Sequence, residues 1–352
     1  MKNHEEMTTE KERALRKPPY PQSSVIQSLE WEPADSMIRT AIGVVYMTDP
    51  VKYDGSDNWP VTWADDDRLY TLYGDGYGFD PVLEEKLGLG FAYVTGNPPD
   101  VQGINVRSGS GENQGYGRQG KKGSGVLMVD GILYAWLFHA DEKGGQAQLT
   151  WSTDHAQTWN FSDWKFEAFG LCAFINYGKN YSDARDDYVY TVTHDHPKAD
   201  VPSDRMILMR VPKDRIGERE AYEFFKALDE ETPIWTKEIE ERGAVFEHQD
   251  ACLRSGISYN RAIQRYLWWQ HIPNAPGHRD RGDTRFSGGF GVYDAPEPWG
   301  PWTTAYFTEQ WDMGPGERGE FPTKWMSPDG KTVYLVFSGD DNFCVRKAEI
   351  QL

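Results

Sequence analysis

The chain is poor in several things, and each shortage excludes a class of protein. It has three cysteines, Cys172, Cys252 and Cys344, in 352 residues. An odd, scattered set with no CxxC spacing offers neither a disulfide framework nor a zinc site, which leaves small buried hydrophobes. No apolar run approaches the roughly 18 residues of a membrane span. Basic residues are outnumbered, 37 Lys and Arg against 55 Asp and Glu, for a formal charge of -18. Such a surface excludes phosphate backbones and anionic membranes as partners, since both need a basic face. The N-terminal MKNHEEMTTEKERALRKPPYPQ lacks the apolar segment of a secretory signal. The expectation is a cytoplasmic protein, or a secreted one whose leader has been trimmed. Helical periodicity is scarce, with Glu218–Leu228 (EREAYEFFKAL) the one candidate helix.

Glycine (35), proline (21) and aromatics (14%) are abundant, as short strands joined by tight turns require. One motif returns five times. A strand ends in a polar turn, and the next strand opens on a tyrosine: ADDDRLYTLYGDG, VDGILYAWLFHA, ARDDYVYTVTHDH, NRAIQRYLWWQHI and PDGKTVYLVFSGDD. The tyrosines are Tyr70, Tyr134, Tyr190, Tyr266 and Tyr334, 56 to 76 residues apart. Repeats of this period describe a radial array whose units bury their faces only against neighbours. Four-stranded antiparallel blades around a channel satisfy that need. The expected fold is therefore all-β, a single five-bladed β-propeller over residues 24–352, preceded by a flexible arm, 1–23. Ile38–Tyr46 is expected to close the ring against the last blade.

In each blade the innermost strand and its neighbour are antiparallel and joined by the polar turn. The start of the first and the end of the second must then share one face of the ring. Five residues past each tyrosine lie Asp75, His139, Asp195, His271 and Gly339, with His194, His196 and Asp340 beside them. The expected starts of the inner strands add Asp57 and Trp59, Lys121 and Lys122, Asn176 and Lys179, Glu247 to Arg254 with Asp250, and Glu320 with Lys324. WPVTW (59–63) aligns with FPTKW (321–325). This collection describes a carboxylate-rich pocket with a few cations. Asp57, Asp75, Asp250 and Glu320 are the candidate catalytic groups, because carboxylates in unequal surroundings divide acid and base roles. Trp59, His139, Lys179, His194, Asp195, Arg254, Trp269, His271, Lys324 and Asp340 are candidate substrate ligands, with the tryptophans able to stack on sugar rings or to fill space between blades. No cofactor is required, though Asp oxygens in a channel could hold a structural calcium.

STDHAQTW (152–159) resembles the Asp-box of sialidase-like propellers, S-x-D-x-G-x-T-W, with Ala156 in place of the usual glycine. The Asp-box is a structural hairpin, so Asp154 is expected to cap a turn. DNWPVTWADDDRLYTLYGDGYGF and FPTKWMSPDGKTVYLVFSGDDNFCVRKA resemble a bacterial propeller family, long a domain of unknown function, some members of which are endo-D-arabinanases. The resemblance runs from about Ile38 to the C-terminus. It implies a five-bladed glycoside hydrolase acting on a carbohydrate, with catalytic carboxylates on inner strands. A polysaccharide lyase and a non-catalytic sugar-binding propeller are the alternatives. No FRIP-like motif supports a sialidase.

Overall fold

A computed structural model describes residues 17–39, 56–81, 83–115, 117–273, 288–312, 316–339 and 341–352. Two short strands, β1 (Ser28–Trp31) and β2 (Ile38–Arg39), precede the first blade. That blade is β3 (Asp57–Trp63), β4 (Leu69–Gly74), β5 (Gly90–Asn97) and β6 (Asp100–Val106). The second is β7 (Lys122–Val129), β8 (Ile132–Phe138), β9 (Gln148–Ser152) and β10 (Asn160–Phe161). The third is β11 (Cys172–Asn176), β12 (Tyr188–His194), β13 (Ser203–Pro212), β14 (Glu223–Asp229) and β15 (Thr232–Thr236), followed by β16 (Phe246–Cys252). The fourth is β17 (Ser255–Asn260), β18 (Arg265–Ile272), β19 (Gly289–Ala295) and β20 (Thr303–Thr308). The fifth is β21 (Gly316–Glu320), β22 (Thr332–Gly339) and β23 (Asn342–Gln351), with β1 as its outer strand.

The chain thus folds as a five-bladed β-propeller, as the repeats require. The inner strands β3, β7, β11, β17 and β21 follow one another around the axis, and β21 returns to β3. They approach so closely that β11 and β17 pair in parallel through Ile175↔Ile257 and Asn176↔Ser258. A Cβ on Gly256 would stand 2.4 Å from the Gly319 carbonyl, so that crossing demands glycine. Apolar layers fill the spaces between blades, among them Trp136 with Phe174 and Trp311 with Phe337. Among the described residues the helical segments are three-residue 3₁₀ turns, and no helix is long and apolar enough to cross a membrane.

Three expectations are corrected, and a fourth holds over the residues described. The candidate helix is strand: Glu223–Asp229 is β14, because β13 has an edge whose N–H and C=O groups need partners. N-terminal strands do pair with the last blade, and β1 is the longer of them, on β23 from Ser28↔Gln351 to Trp31↔Ala348. Ile38 and Arg39 also pair with β23, while the rest of Ile38–Tyr46 lies outside the described residues. Part of the expected loose arm is held in place. Ser23 N–H donates to the Thr304 carbonyl (2.9 Å), and Tyr20 packs on Phe246 at 4.9 Å. Finally, Glu247–Cys252 does not begin the fourth inner strand. It forms β16 on β13, through Arg205↔Glu247 and Met206↔Phe246.

Candidate active site

The inner strands begin, and their partners end, at one mouth of the channel. Asp57 starts β3 opposite Gly74, the last residue of β4, and Asp75 follows directly. Both candidate carboxylates therefore sit at the same corner of one blade. The local backbone is unusual. Asn58 (φ 77°), Trp59 (φ 46°) and Asp75 (φ 45°) are left-handed non-glycine residues, and the β3–β4 register slips between Asn58 and Val61. A bulge of this kind re-aims side chains, and such strain persists only where its surroundings hold it. Here Trp59 holds it. Its indole N–H donates to Ser56 O (2.9 Å), and its ring is wedged against Phe79 (4.8 Å), Phe343 (5.4 Å) and Tyr73 (5.5 Å).

From Asp57 a polar chain runs through every blade. Asn58 donates to Asp57 Oδ1 (2.7 Å), and Arg254, just ahead of β17, donates to Asn58 Oδ1 (2.8 Å) and Glu317 Oε2 (2.7 Å). Arg254 also reaches Asp200 at 3.7 Å, and the far oxygen of Asp200 lies 3.6 Å from His139 Nε2 and 3.3 Å from Arg118 Nε. Burial alone would raise the Asp200 pKa. His139, Arg254 and Arg118 outweigh it and hold that carboxyl well below the usual range. Asp75 pairs with Lys122, whose ammonium is buried at the start of β7. The mouth thus carries several carboxylates whose charges are largely matched by neighbouring cations.

One layer deeper the channel is crossed by a second pair. Arg318 donates to Ser124 O (2.5 Å) on the second blade and to Glu320 Oε2 (3.1 Å). Glu320 accepts from Asn176 (2.6 Å) on the third blade and from the Val61 N–H (3.3 Å) on the first. Burial raises the Glu320 pKa against the lowering effect of Arg318, and burial lowers that of Arg318. Together they floor the pocket.

The other expected ligands are dispersed. Glu320 belongs to this floor and not to the rim, because β21 begins at Gly316 and Glu320 is its last residue. Asp250 lies on β16, where its N–H donates to Asp204 (2.6 Å). Trp59 and Trp269 are core residues, 1% and 0% exposed, with no face for a sugar. Lys179 and Lys324 sit in the turns after β11 and β21, and so at the opposite end of the channel. Both engage Asp67 there, at 3.5 and 2.7 Å, and the hydrogen bond from Lys324 pulls the Asp67 pKa to about 2. Asp195 is turned into an ion-pair cluster with Arg205 (2.5 Å) and Arg242 (2.8 Å). His194 is buried at the end of β12, Nε2 3.0 Å from Lys198 O, and burial lowers its pKa to about 4. His271 is buried beside the mouth, its N–H on Arg254 O (3.1 Å). Asp340 lies outside the described residues. Of the substrate-ligand candidates, His139 and Arg254 join Asp57 in the polar chain.

Sequence reasoning missed Asn58, Asp200 and Glu317. Asp200 sits in a loop that follows no repeat. Glu317 was hidden by aligning FPTKW with WPVTW, although the turn after β21 is longer than the turn after β3. Among the described residues one cluster could hold a cation: Asp65, Asp66 and His155, on turns at the far end of the channel. Exposed acidic clusters of this kind are common without an ion.

No protein-family model and no curated protein matches the chain. Solved structures do. The catalytic domain of an α-L-arabinofuranosidase from Coprinopsis cinerea superposes with a TM-score of 0.50 at 9% identity, covering 92% of this chain and 97% of that one. An α-L-arabinofuranosidase from Podospora anserina, in complex with cellotriose, gives 0.48 at 10% identity, over 94% and 99%. An enzyme from Xanthomonas citri complexed with xylotriose gives 0.46 at 13%, over 90% of each chain. At this identity the likeness to the Coprinopsis domain establishes a shared fold.

Proposed function

We propose that this chain is a glycoside hydrolase that cleaves a neutral oligo- or polysaccharide at the channel mouth, with Asp57 and Asp75 as its catalytic carboxylates. The observation that carries this reading is their placement: two carboxylates at one strand pair's end, on a strained and buttressed backbone, above the buried Arg318–Glu320 pair. Glycosidases flank the scissile bond with two such groups. Asp57 is 6% exposed, and a carboxyl shielded from water suits the acid that protonates the leaving oxygen. Asp75 keeps a quarter of its side chain exposed and is steadied by Lys122, which suits the group that meets water or the anomeric carbon. Arg254, Asn58 and His139 back this corner through the buried polar chain. The arabinofuranosidase activity of the Coprinopsis neighbour agrees as an analogy of fold, and the resemblance to an endo-D-arabinanase family puts arabinans first among substrates.

The test is incubation with neutral and uronic oligosaccharides while reducing ends and ultraviolet absorbance are followed together. Hydrolysis releases reducing ends alone, and Asp57→Asn and Asp75→Asn should each lower turnover by roughly 10²–10⁴-fold while folding normally. Unsaturated, absorbing products would replace this reading with a lyase. Binding without product would replace it with a lectin.

A further inference from the structure

A cavity of about 600 Å³ opens on the same end of the ring, in the loops after β4 and β6. It is lined in part by Leu87, Glu84, Glu85, Arg107, Gly109 and Glu112. Nothing in the catalytic arrangement uses it, yet short backbone links tie it to Asp75. Gly76, next to Asp75, pairs with Leu87 through two hydrogen bonds, 3.1 and 2.9 Å. The neighbouring Gly88 and Leu89 pair with Asn113, whose side chain accepts from the Lys121 N–H (3.2 Å), beside the Lys122 that holds Asp75. The cavity and the catalytic corner are therefore joined by a short run of hydrogen bonds.

We infer that this cavity is a distal subsite for a neutral glycan, so that the enzyme prefers chains extending beyond the cleaved bond. The inference rests on the hydrolase reading above. The wall has the chemistry of sugar recognition. Pro81, exposed on this wall, supplies an apolar patch for C–H faces. Arg107 and Glu112 form a bidentate fork, 2.8 and 3.0 Å, leaving three of the five guanidinium N–H groups for hydroxyls. Its volume falls within the range of sites that enclose small ligands. Its charge decides the class. Three carboxylates, Glu84, Glu85 and Glu112, face one guanidinium, so a uronate would be repelled and a neutral hydroxylated chain would not.

Gly109 provides a clean test. A Cβ built there meets nothing within 4 Å, so Gly109→Phe adds a ring on the cavity lining without a clash at its Cβ. Arg107→Ala is a second probe, since that side chain is 65% exposed. The full-length protein is assayed on neutral arabino- and xylo-oligosaccharides from disaccharide to hexasaccharide, and hexasaccharide binding to Asp57→Asn is measured by calorimetry. We expect wild-type kcat/KM to rise about tenfold or more with chain length, the size of a lost charge-assisted hydrogen bond. Gly109→Phe and Arg107→Ala should flatten that rise and weaken hexasaccharide binding equally, with disaccharide rates unchanged. A folded Gly109→Phe variant with an intact length dependence overturns the subsite. Hexasaccharide binding that weakens in Gly109→Phe, without any cleavage by wild type, keeps the subsite and overturns the hydrolase.

Discussion

Asp57 owes its position to a residue with no side chain. A Cβ on Gly74 would lie 2.6 Å from Asp57 Oδ1 and 3.4 Å from Asn58 Nδ2. Gly74→Ala should therefore leave the sheet intact and turn the carboxylate aside. Misplacement by about 1 Å costs on the order of 10²-fold in rate, so we expect kcat to fall that far with a nearly unchanged melting temperature. An unchanged kcat would remove Asp57 from the reaction. His194 gives a second test at this scale. Burial lowers its pKa from the ordinary value near 6.5 to about 4. The unfolded chain thus takes up a proton that the folded one refuses. The stability tied to this group is complete above pH 6.5 and is lost as the pH falls toward 4, on the order of 3 kcal/mol in all. Urea midpoints between pH 7 and 4.5 should fall less steeply in His194→Gln than in wild type. Parallel curves would show that His194 is not the group responsible.

Among the elements, the hairpin at Ser152–Trp159 shows how a turn is specified. Asp154 accepts from Thr158 N–H (2.8 Å), Thr158 Oγ1 (2.6 Å) and Ser152 Oγ (2.8 Å), and Trp159 stacks on Phe91 at 4.6 Å. Ala156 stands at φ 70°, where an L-residue is disfavoured by about 1–2 kcal/mol. Ala156→Gly should stabilise the protein by up to about 1 kcal/mol, after the entropy of the freer unfolded chain is subtracted. Asp154→Ala should cost roughly 0.5–2 kcal/mol, the scale of a lost cap. Both are read as shifts in the denaturation midpoint with activity unchanged. A stable but inactive Asp154→Ala would make the hairpin part of the chemistry.

At the scale of the whole molecule, the Arg318–Glu320 pair joins inner strands of the first, second, third and fifth blades. Removing one partner leaves a buried charge uncompensated, which typically costs 3–5 kcal/mol. Glu320→Leu and Arg318→Met should each be severely destabilising, while the double variant recovers much of the loss because no lone charge remains. Costs that simply add in a urea double-mutant cycle would mean that the two groups are not coupled. This pattern also separates a floor from a catalyst, since a residue acting only in bond cleavage leaves stability alone.

The blade count and the corner that holds Asp57 and Asp75 were legible in the sequence. Both depend on short-range signals: a polar turn, a tyrosine opening the next strand, and a fixed distance to that strand's end. Hydrogen-bond partners within a hairpin are set by the turn, so nearby residues suffice to state them. Three things were decided only in three dimensions. Trp59 and Trp269 were open to stacking on sugars or to packing, and the closeness of neighbouring blades buried both. Lys179 and Lys324 were assigned to the mouth, but the true starts of β11 and β21 put them at the far end. Asp200 entered the site from a loop with no motif, because Arg254 and His139, on two other blades, meet there. Contacts between blades join residues tens to hundreds of positions apart, and no local pattern records which of them the ring will bring together.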